Sequence, residues 1–238
     1  MRLLTWNIRQ GGSRVRFDSI INALMEHQSD VIVLTEFWDN AKGNAIKKSL
    51  FAMGYTHQNT HVSPYKVDSV FIASKIDFTD VTDMNEYAVP YERWVELYFP
   101  VQDLYLLGIH IPNHMTRLRD RELFASEMLA YAKNHMEDRC VIIGDYNMSM
   151  LVDSEGPPLS CTDKMVELHR LGWIDTWRYT HKRENEYSWR DTLGAGFRID
   201  HAYISPKLEE SLQKCQFSHQ ERREQVSDHS VLIVDLRI

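Results

Sequence analysis

The chain has 238 residues, 43% of them hydrophobic, which is enough to bury one large core. Its formal net charge of −7 argues against a broad basic surface for gripping duplex DNA, although a bound divalent cation can supply positive charge locally. No apolar run reaches the 18 or so residues that span a bilayer.

Cys140, Cys161 and Cys215 are an odd set without CxxC spacing, which suits a reducing cytoplasm and offers no thiolate metal site. Met1 leads straight into a strand-like segment with no signal peptide. No linker-like stretch divides the chain, so the expectation is one domain over residues 1–238, monomeric and cytoplasmic, with no membrane partner.

In chain order, residues 2–8 (RLLTWNI) read as a strand, and Phe17, Ile20, Ile21 and Leu24 mark one face of a helix. Residues 31–35 (VIVLT) are a second buried strand. Asn40 is placed to cap a helix carrying Ile46, Leu50 and Met53 and closed by Gly54. Strands follow at 68–74, 93–99 and 103–111, the last two reading as an antiparallel pair across a short turn.

A helix with Phe124, Met128, Tyr131 and His135 on one face precedes the strand CVIIGD. After the loop-like stretch 147–160, Thr162 is placed to cap a helix ending at Gly172, and strands at 197–205 and 230–236 finish the chain. Two mixed sheets packed face to face with helices outside would bury all of these. A doubly wound parallel sheet is the alternative, but the 93–111 hairpin and the strand-rich ending count against it.

Polar residues interrupt the apolar strands in a pattern. Asn7 ends LLTWN, Glu36 follows VIVLT, and His110 sits in LLGIHIPN. Asp145 and Asn147 end CVIIGDYN, Asp200 lies in FRIDHAYIS, and Asp228 and His229 precede the last strand. Strand interiors disfavour such groups, and burying an unpaired charge is costly. Their recurrence at strand ends points to one polar site at an edge of the sheets.

The parts of such a site define its chemistry. Glu36, Asn7 and Asp228 offer only oxygen ligands, which suits a hard cation such as Mg²⁺ or Mn²⁺. Asp145 and Asn147 pair a base with a neutral amide, fit to hold an attacking water. His229 beside a buried carboxylate such as Asp200 would stay protonated and bind an anionic phosphate oxygen. Together these describe metal-assisted attack of water on a phosphoester.

The segments TWNI, LTEF, GIHIPN, GDYN, RIDHAYIS and SDHS, in this order from residue 5 to residue 230, resemble the motifs of the endonuclease/exonuclease/phosphatase superfamily. That group includes exonuclease III and deoxyribonuclease I. The resemblance implies a four-layer α-β-β-α sandwich with the site at the edge of its two mixed sheets, and Mg²⁺-dependent phosphoester hydrolysis, with Mn²⁺ as a substitute. It implies Glu36 as the main metal ligand with Asn7 and Asp228 nearby, Asp145 as the group that activates or orients the water, and Asn147 on the phosphate. It pairs Asp200 with His229. His110 falls where the exonuclease III branch has a tyrosine and the deoxyribonuclease I branch a histidine, a place from which to protonate the leaving oxygen or hold a phosphate. Asn113 of GIHIPN joins the substrate-binding set.

Three positions depart from the pattern. Arg9 stands where a small polar or acidic residue is common, which counts against a second metal site and suggests a phosphate contact instead. Thr35, rather than Gln, precedes Glu36. The loops that reach into DNA in repair nucleases are hard to find in so short a chain. Trp189, Phe197 and Ile199 resemble the apolar pocket beside the catalytic edge of abasic-site endonucleases.

Each residue has a plain structural reading too: Asp145 as a cap, His110 as a core histidine, Asp200 as an outward strand residue, Asp228-His229 as a solvated turn. Six such motifs in one family's order outweigh it. Within 114–122 (HMTRLRDRE), Arg117 and Arg121 share a helical face; a solvated face with Asp120 and Glu122 as partners is favoured over a phosphate-contacting ridge. The reading is a Mg²⁺-dependent phosphodiesterase, a nuclease on DNA related to exonuclease III. The alternative is a phosphatase or phosphodiesterase of a small-molecule, nucleotide or lipid phosphoester using the same site. A binding module that has lost catalysis is disfavoured by the intact set of acids and histidines.

Overall fold

A computed structural model describes residues 1–12, 14–61, 67–113 and 117–238, without the side chains of residues 14 and 15. Two six-stranded mixed sheets face each other. The first contains β1 (Arg2–Asn7), β2 (Val31–Phe37), β3 (His57–Thr60) and β4 (Ser69–Ser74), with β13 (Leu212–Ser218) and β14 (Val231–Leu236) from the end of the chain. Its strand order is β13-β14-β1-β2-β4-β3. The second contains β5 (Thr79–Asp80), β6 (Trp94–Phe99), β7 (Leu104–His110), β8 (Cys140–Asp145), β9 (Ile174–Asp175) and β12 (Asp200–Ile204), in the order β5-β6-β7-β8-β12-β9. Helices α1 (Arg14–His27), α2 (Ala41–Ala52), α3 (Leu118–Asn134), α4 (Thr162–Arg170), α5 (Thr176–His181) and α6 (Gln220–Arg223) connect them, and β10 (Trp189–Arg190) pairs with β11 (Gly196–Phe197) as a small separate ribbon.

The two-residue period of the strands builds the layers. Leu3, Val33, Ile72 and Val234 of the first sheet meet Leu97, Leu106, Val141 and Ile143 of the second in a shared core. The alternate residues face helices: Leu4, Trp6, Leu34 and Phe71 pack with Ile20, Leu24, Ile46 and Leu50 of α1 and α2. On the other side Leu107, Ile142 and Tyr203 pack with Phe124, Met128 and Leu168 of α3 and α4. The result is the expected four-layer sandwich. Gly108 leaves room for the facing sheet, because a Cβ there would crowd Ile72, Val70 and Val33.

Several expectations about local structure hold and some do not. Asn40 caps α2, accepting from Lys42 N and Gly43 N at 2.9 and 3.1 Å. Gly54 takes a positive φ of 92° just beyond that helix. Thr162, expected as a cap, is instead the first residue of α4; Cys161 precedes it in a left-handed conformation, and the Thr162 hydroxyl donates to Leu159 O and Ser149 O. The expected strand 197–205 is broken between β11 and β12. β3 and β13 have no clear apolar alternation, since they lie on sheet edges where little of each strand needs burying.

The inward period carries polar side chains to one edge. Leu3-Thr5-Asn7, Leu106-Gly108-His110, Val141-Ile143-Asp145 and, read backwards, Ile204-Ala202-Asp200 each end there. In the second sheet, register aligns His110 with Asp145 and Asp145 with Asp200, three residues side by side across β7, β8 and β12.

Candidate active site

Asn7 joins the two sheets across this edge. Its Nδ2 donates to Asp145 Oδ2 at 2.9 Å and to Glu36 Oε1 at 3.1 Å. Glu36 sits at a register shift between β2 and β4 and has φ 51°, a bulge that re-aims a side chain the regular period would send elsewhere. Gln10 Nε2 donates to its other oxygen at 3.1 Å. Asp68 follows behind, taking hydrogen bonds from Trp38 Nε1 at 2.6 Å and Gln10 Nε2 at 3.4 Å, with an Arg93 nitrogen 3.5 Å away.

On β8, Gly144 has φ 150° because a Cβ would collide with the carbonyl of Ile109, and this close approach sets Asp145 at the mouth of the sheet. Asp145 Oδ1 accepts from Asn147 N at 3.0 Å. Asp145, read plainly as a helix N-cap, caps no helix: it accepts from the Asn147 N–H with one oxygen and from Asn7 with the other. Asn147, at φ 48°, is held by a bond from its Nδ2 to Ile111 O at 2.9 Å.

His229 Nδ1 is 2.9 Å from Asp200 Oδ2. Its own backbone is pinned, with its carbonyl accepting from Trp6 Nε1 at 3.1 Å and its N–H donating to Ser227 Oγ at 3.2 Å. Ser227 Oγ in turn donates to Asn7 O at 2.6 Å. Ser188 Oγ accepts from the N–H groups of Ile199 and Asp200 at 3.0 and 3.1 Å, fixing the start of β12.

Charge follows from this packing. Burial, then the charge of Asp200, pushes the Asp145 carboxyl up to about 7 against the opposing pull of His229 and Asn7. Burial disfavours the His229 imidazolium, but Asp200 and Asp145 outweigh it and raise its pKa to about 10. Glu36 is raised by burial, with Asp68 and Asp228 adding repulsion and the Asn7 hydrogen bond opposing. His110 is driven well below its ordinary value by burial and then by the charges of Arg93 and His229. It is thus a neutral imidazole, with an Arg93 nitrogen 3.2 Å from its Nδ1 and Asp145 Oδ2 3.9 Å from its Nε2. Such a group holds a hydrogen bond but has no imidazolium proton to give a leaving oxygen, and the cation at this place is Arg93.

Two acidic clusters offer themselves to a cation. Asp145, Asp200 and His229 bring donor atoms within 4.8 Å of one another, but a protonated His229 repels a metal. Glu36, Asp68 and Asp228 are carboxylates that repel one another, Asn7 donates its amide to Glu36, and Asp228 Oδ1 is buried with no hydrogen bond. This second set fits a hard divalent ion. Arg9 Nε stands 3.3 Å from that same Asp228 oxygen and is half exposed.

These groups line a cleft of about 160 Å³ that includes Glu36, Asp145, Asn147, Asp228 and His229, with Asn113, Trp189 and Ile199 also bordering it. Phe197 does not reach it. It is 3% exposed and lies behind Trp189 at a ring distance of 5.8 Å. Asp200, read plainly as outward, is fully buried. Arg121 meets neither expectation for its helix: it is buried and donates to Asn147 O at 2.8 Å, bracing the turn after Asp145. Residues 114–116 of that segment lie outside the described residues.

Sequence reasoning missed Asp68, Arg93, Gln10, Ser188 and Ser227. Asp68 had a signal, one two-residue step before Val70 and Ile72 on the inward face of β4, and Ser227 stood inside the SDHS motif.

A sandwich of this architecture with an acid-rich edge paired to an imidazolium is a phosphoester hydrolase. The chain belongs to the Endonuclease/Exonuclease/phosphatase family, whose profile matches residues 4–229. Among solved structures, the 3′ phosphatase NExo from Neisseria bound to a product DNA hairpin is similar at 21% identity and a TM-score of 0.85, with 100% of each chain covered. An AP endonuclease from Archaeoglobus fulgidus is similar at 19% identity and a TM-score of 0.83, again over 100% of both chains. The 3′-5′ exonuclease NExo from Neisseria meningitidis gives 22%, 0.83 and the same full coverage. No curated protein matches the sequence.

Proposed function

We propose that this chain is a Mg²⁺-dependent phosphodiesterase that cleaves DNA, with Mn²⁺ able to replace Mg²⁺. The observation that carries the reading is Asn7 bridging Glu36 and Asp145, which couples a metal-fitting carboxylate to a candidate base within one cleft. The likeness to a 3′ phosphatase bound to product DNA and to an AP endonuclease supports DNA as the substrate.

Glu36, Asp68 and Asp228, with Asn7 beside them, would hold the metal, which when bound would supply Lewis-acid stabilisation of phosphate charge. Asp145, fixed by Asn7 and by Asn147 N, takes a proton from the attacking water. The His229 imidazolium, held by Asp200, meets the charge that builds on the phosphoryl oxygens. Asn147 keeps one amide N–H for the phosphate while the other is spent on Ile111 O. His110 and Arg93 bound the opposite side of Asp145, and Arg9, Asn113 and Trp189 contact the rest of the substrate. Phe197 supports Trp189 from behind.

The protein is proposed to act as a single catalytic domain and a monomer. Its three cysteines are all free and buried, in keeping with a reducing cytoplasm. Among the described residues no helix is long and apolar enough to cross a membrane.

The test is a panel with Mg²⁺ and with Mn²⁺: single- and double-stranded DNA, abasic duplex, RNA, inositol phosphates and a chromogenic diester. The expected result is the highest kcat/KM on a DNA substrate. Hydrolysis confined to inositol phosphates or other small phosphoesters would replace this reading with that of a small-molecule phosphatase.

A further inference from the structure

Beside the catalytic cleft lies a second cavity of about 430 Å³, and Asp228 lines both. Four arginines surround this cavity: Arg9, Arg16, Arg190 and Arg222. In a chain of net charge −7, such a cluster is not a sample of the general surface.

The four differ in how their charge is answered. Arg9 stands near Asp228, and Arg190 pairs with Glu155 at 2.9 Å. Arg16 donates to the carbonyl of Val226 at 3.2 Å, and Arg222 donates to Ser230 Oγ at 2.9 Å and Tyr187 O at 3.4 Å. Neutral acceptors orient a guanidinium without cancelling its charge. Among the described residues, neither Arg16 nor Arg222 has a carboxylate within ion-pair distance. Burial, then the charge of Arg190, lowers the Arg222 pKa against an opposing pull from Glu186, so these cations press on one another. Guanidinium forks set around a cavity match the geometry of a phosphate.

We propose that this cavity is a second phosphate subsite, where the enzyme grips a phosphate of the same substrate adjacent to the one it hydrolyses. The proposal rests on the phosphodiesterase reading and sharpens it, because a substrate with a single phosphate would leave the cavity unused. A nucleic-acid strand supplies regularly spaced phosphates; a small bisphosphate offers the same chemistry.

The test compares the wild type with Arg16→Gln and Arg190→Gln, normalised to folded protein. The substrates are bis-p-nitrophenyl phosphate, a short single-stranded deoxyoligonucleotide and an inositol bisphosphate. Each variant should hydrolyse bis-p-nitrophenyl phosphate within about twofold of wild type while its KM for the oligonucleotide rises about tenfold, the scale of one lost charge-assisted contact. The slope of log affinity against log salt should become shallower by about 0.7 per arginine, the value for one single-strand phosphate contact. A KM rise confined to the bisphosphate would keep the subsite and name the small molecule as its source. Equal losses on all three substrates, or no loss on any, would overturn the proposal. If wild type hydrolyses none of them with Mg²⁺ or Mn²⁺, the phosphodiesterase reading fails. Equilibrium binding of the labelled oligonucleotide and the bisphosphate in EDTA then decides the subsite: weaker binding in the variants supports it, and unchanged binding overturns it.

Discussion

His229 Nδ1 lies 2.9 Å from Asp200 Oδ2, and both side chains are closed off from solvent. Asp200 therefore keeps a positive charge where solvation alone would not, and aims it into the cleft. His229→Ala should lower kcat by about 10²–10³, or roughly 2.7–4 kcal/mol of transition-state stabilisation, the cost of removing one preorganised donor. Steady-state rates per folded molecule check this. A variant keeping more than about a third of wild-type turnover would remove His229 from the mechanism.

Trp189 borders the cleft while Phe197 is buried behind it. Trp189→Ala should change selectivity between DNA and small phosphoesters by about 1–3 kcal/mol, the scale of a base-stacking contact. Loss on every substrate in proportion to lost folded protein would make Trp189 a core residue.

Arg9 Nε is 3.3 Å from Asp228 Oδ1 and already sets a positive charge beside that carboxylate. One tightly bound divalent ion is expected at physiological Mg²⁺, countable by anomalous scattering with Mn²⁺. Arg9→Ala should raise KM more than it lowers kcat. Two ions in the difference map would contradict this.

Away from the site, Glu96 faces α3 and accepts from the Tyr131 hydroxyl at 3.1 Å. Burial, then Glu86 and Asp80, raises its pKa from 4.5 to about 7, with Tyr131 opposing. A raised folded pKa means the stability it contributes is full below the unfolded value and lost as pH climbs through about 7. The wild-type unfolding free energy should fall by an amount on the order of 3 kcal/mol between pH 5 and 7.5, and the melting temperature with it. Glu96→Gln, which cannot ionise, should flatten that slope; an unchanged slope would refute the assignment.

The edge of the sheets was legible because two physical rules reinforce each other there. Val141-Ile143-Asp145 and Leu3-Thr5-Asn7 keep a strict two-residue phase, so the last polar member has to face the partner sheet. Glu36 was legible as the acid that follows a buried strand, but not its aim, since its bulge breaks that phase. Ser188 left no trace in the sequence, because its work is to satisfy backbone groups of residues further along the chain, and Ser227 stood in the SDHS motif with no sign there of its bond to the Asn7 carbonyl. Arg121 was misplaced because helical spacing shows which residues share a face but not which face is buried. Edge strands β3 and β13 escaped notice for want of an apolar pattern.

Asp145 is proposed as a base crowded by neighbouring acids beside a bound metal. Its carboxyl is raised to about 7, so its ionisation above that pH costs the metal-free fold stability. Asp145→Asn removes that charge at constant size, and the metal-free variant should melt no lower than wild type at pH 8. Mg²⁺ should stabilise the wild type by RT ln(1 + [L]/Kd), about 2.7 kcal/mol at a hundredfold excess over Kd. The most direct measurement is thermal unfolding of wild type and Asp145→Asn with and without Mg²⁺, with DNA hydrolysis followed on the same samples. The account predicts a Mg²⁺-raised midpoint for wild type and a variant that is well folded but nearly inactive. A midpoint indifferent to Mg²⁺, or a variant that unfolds early while its folded fraction hydrolyses normally, would make Asp145 a structural cap and contradict the account.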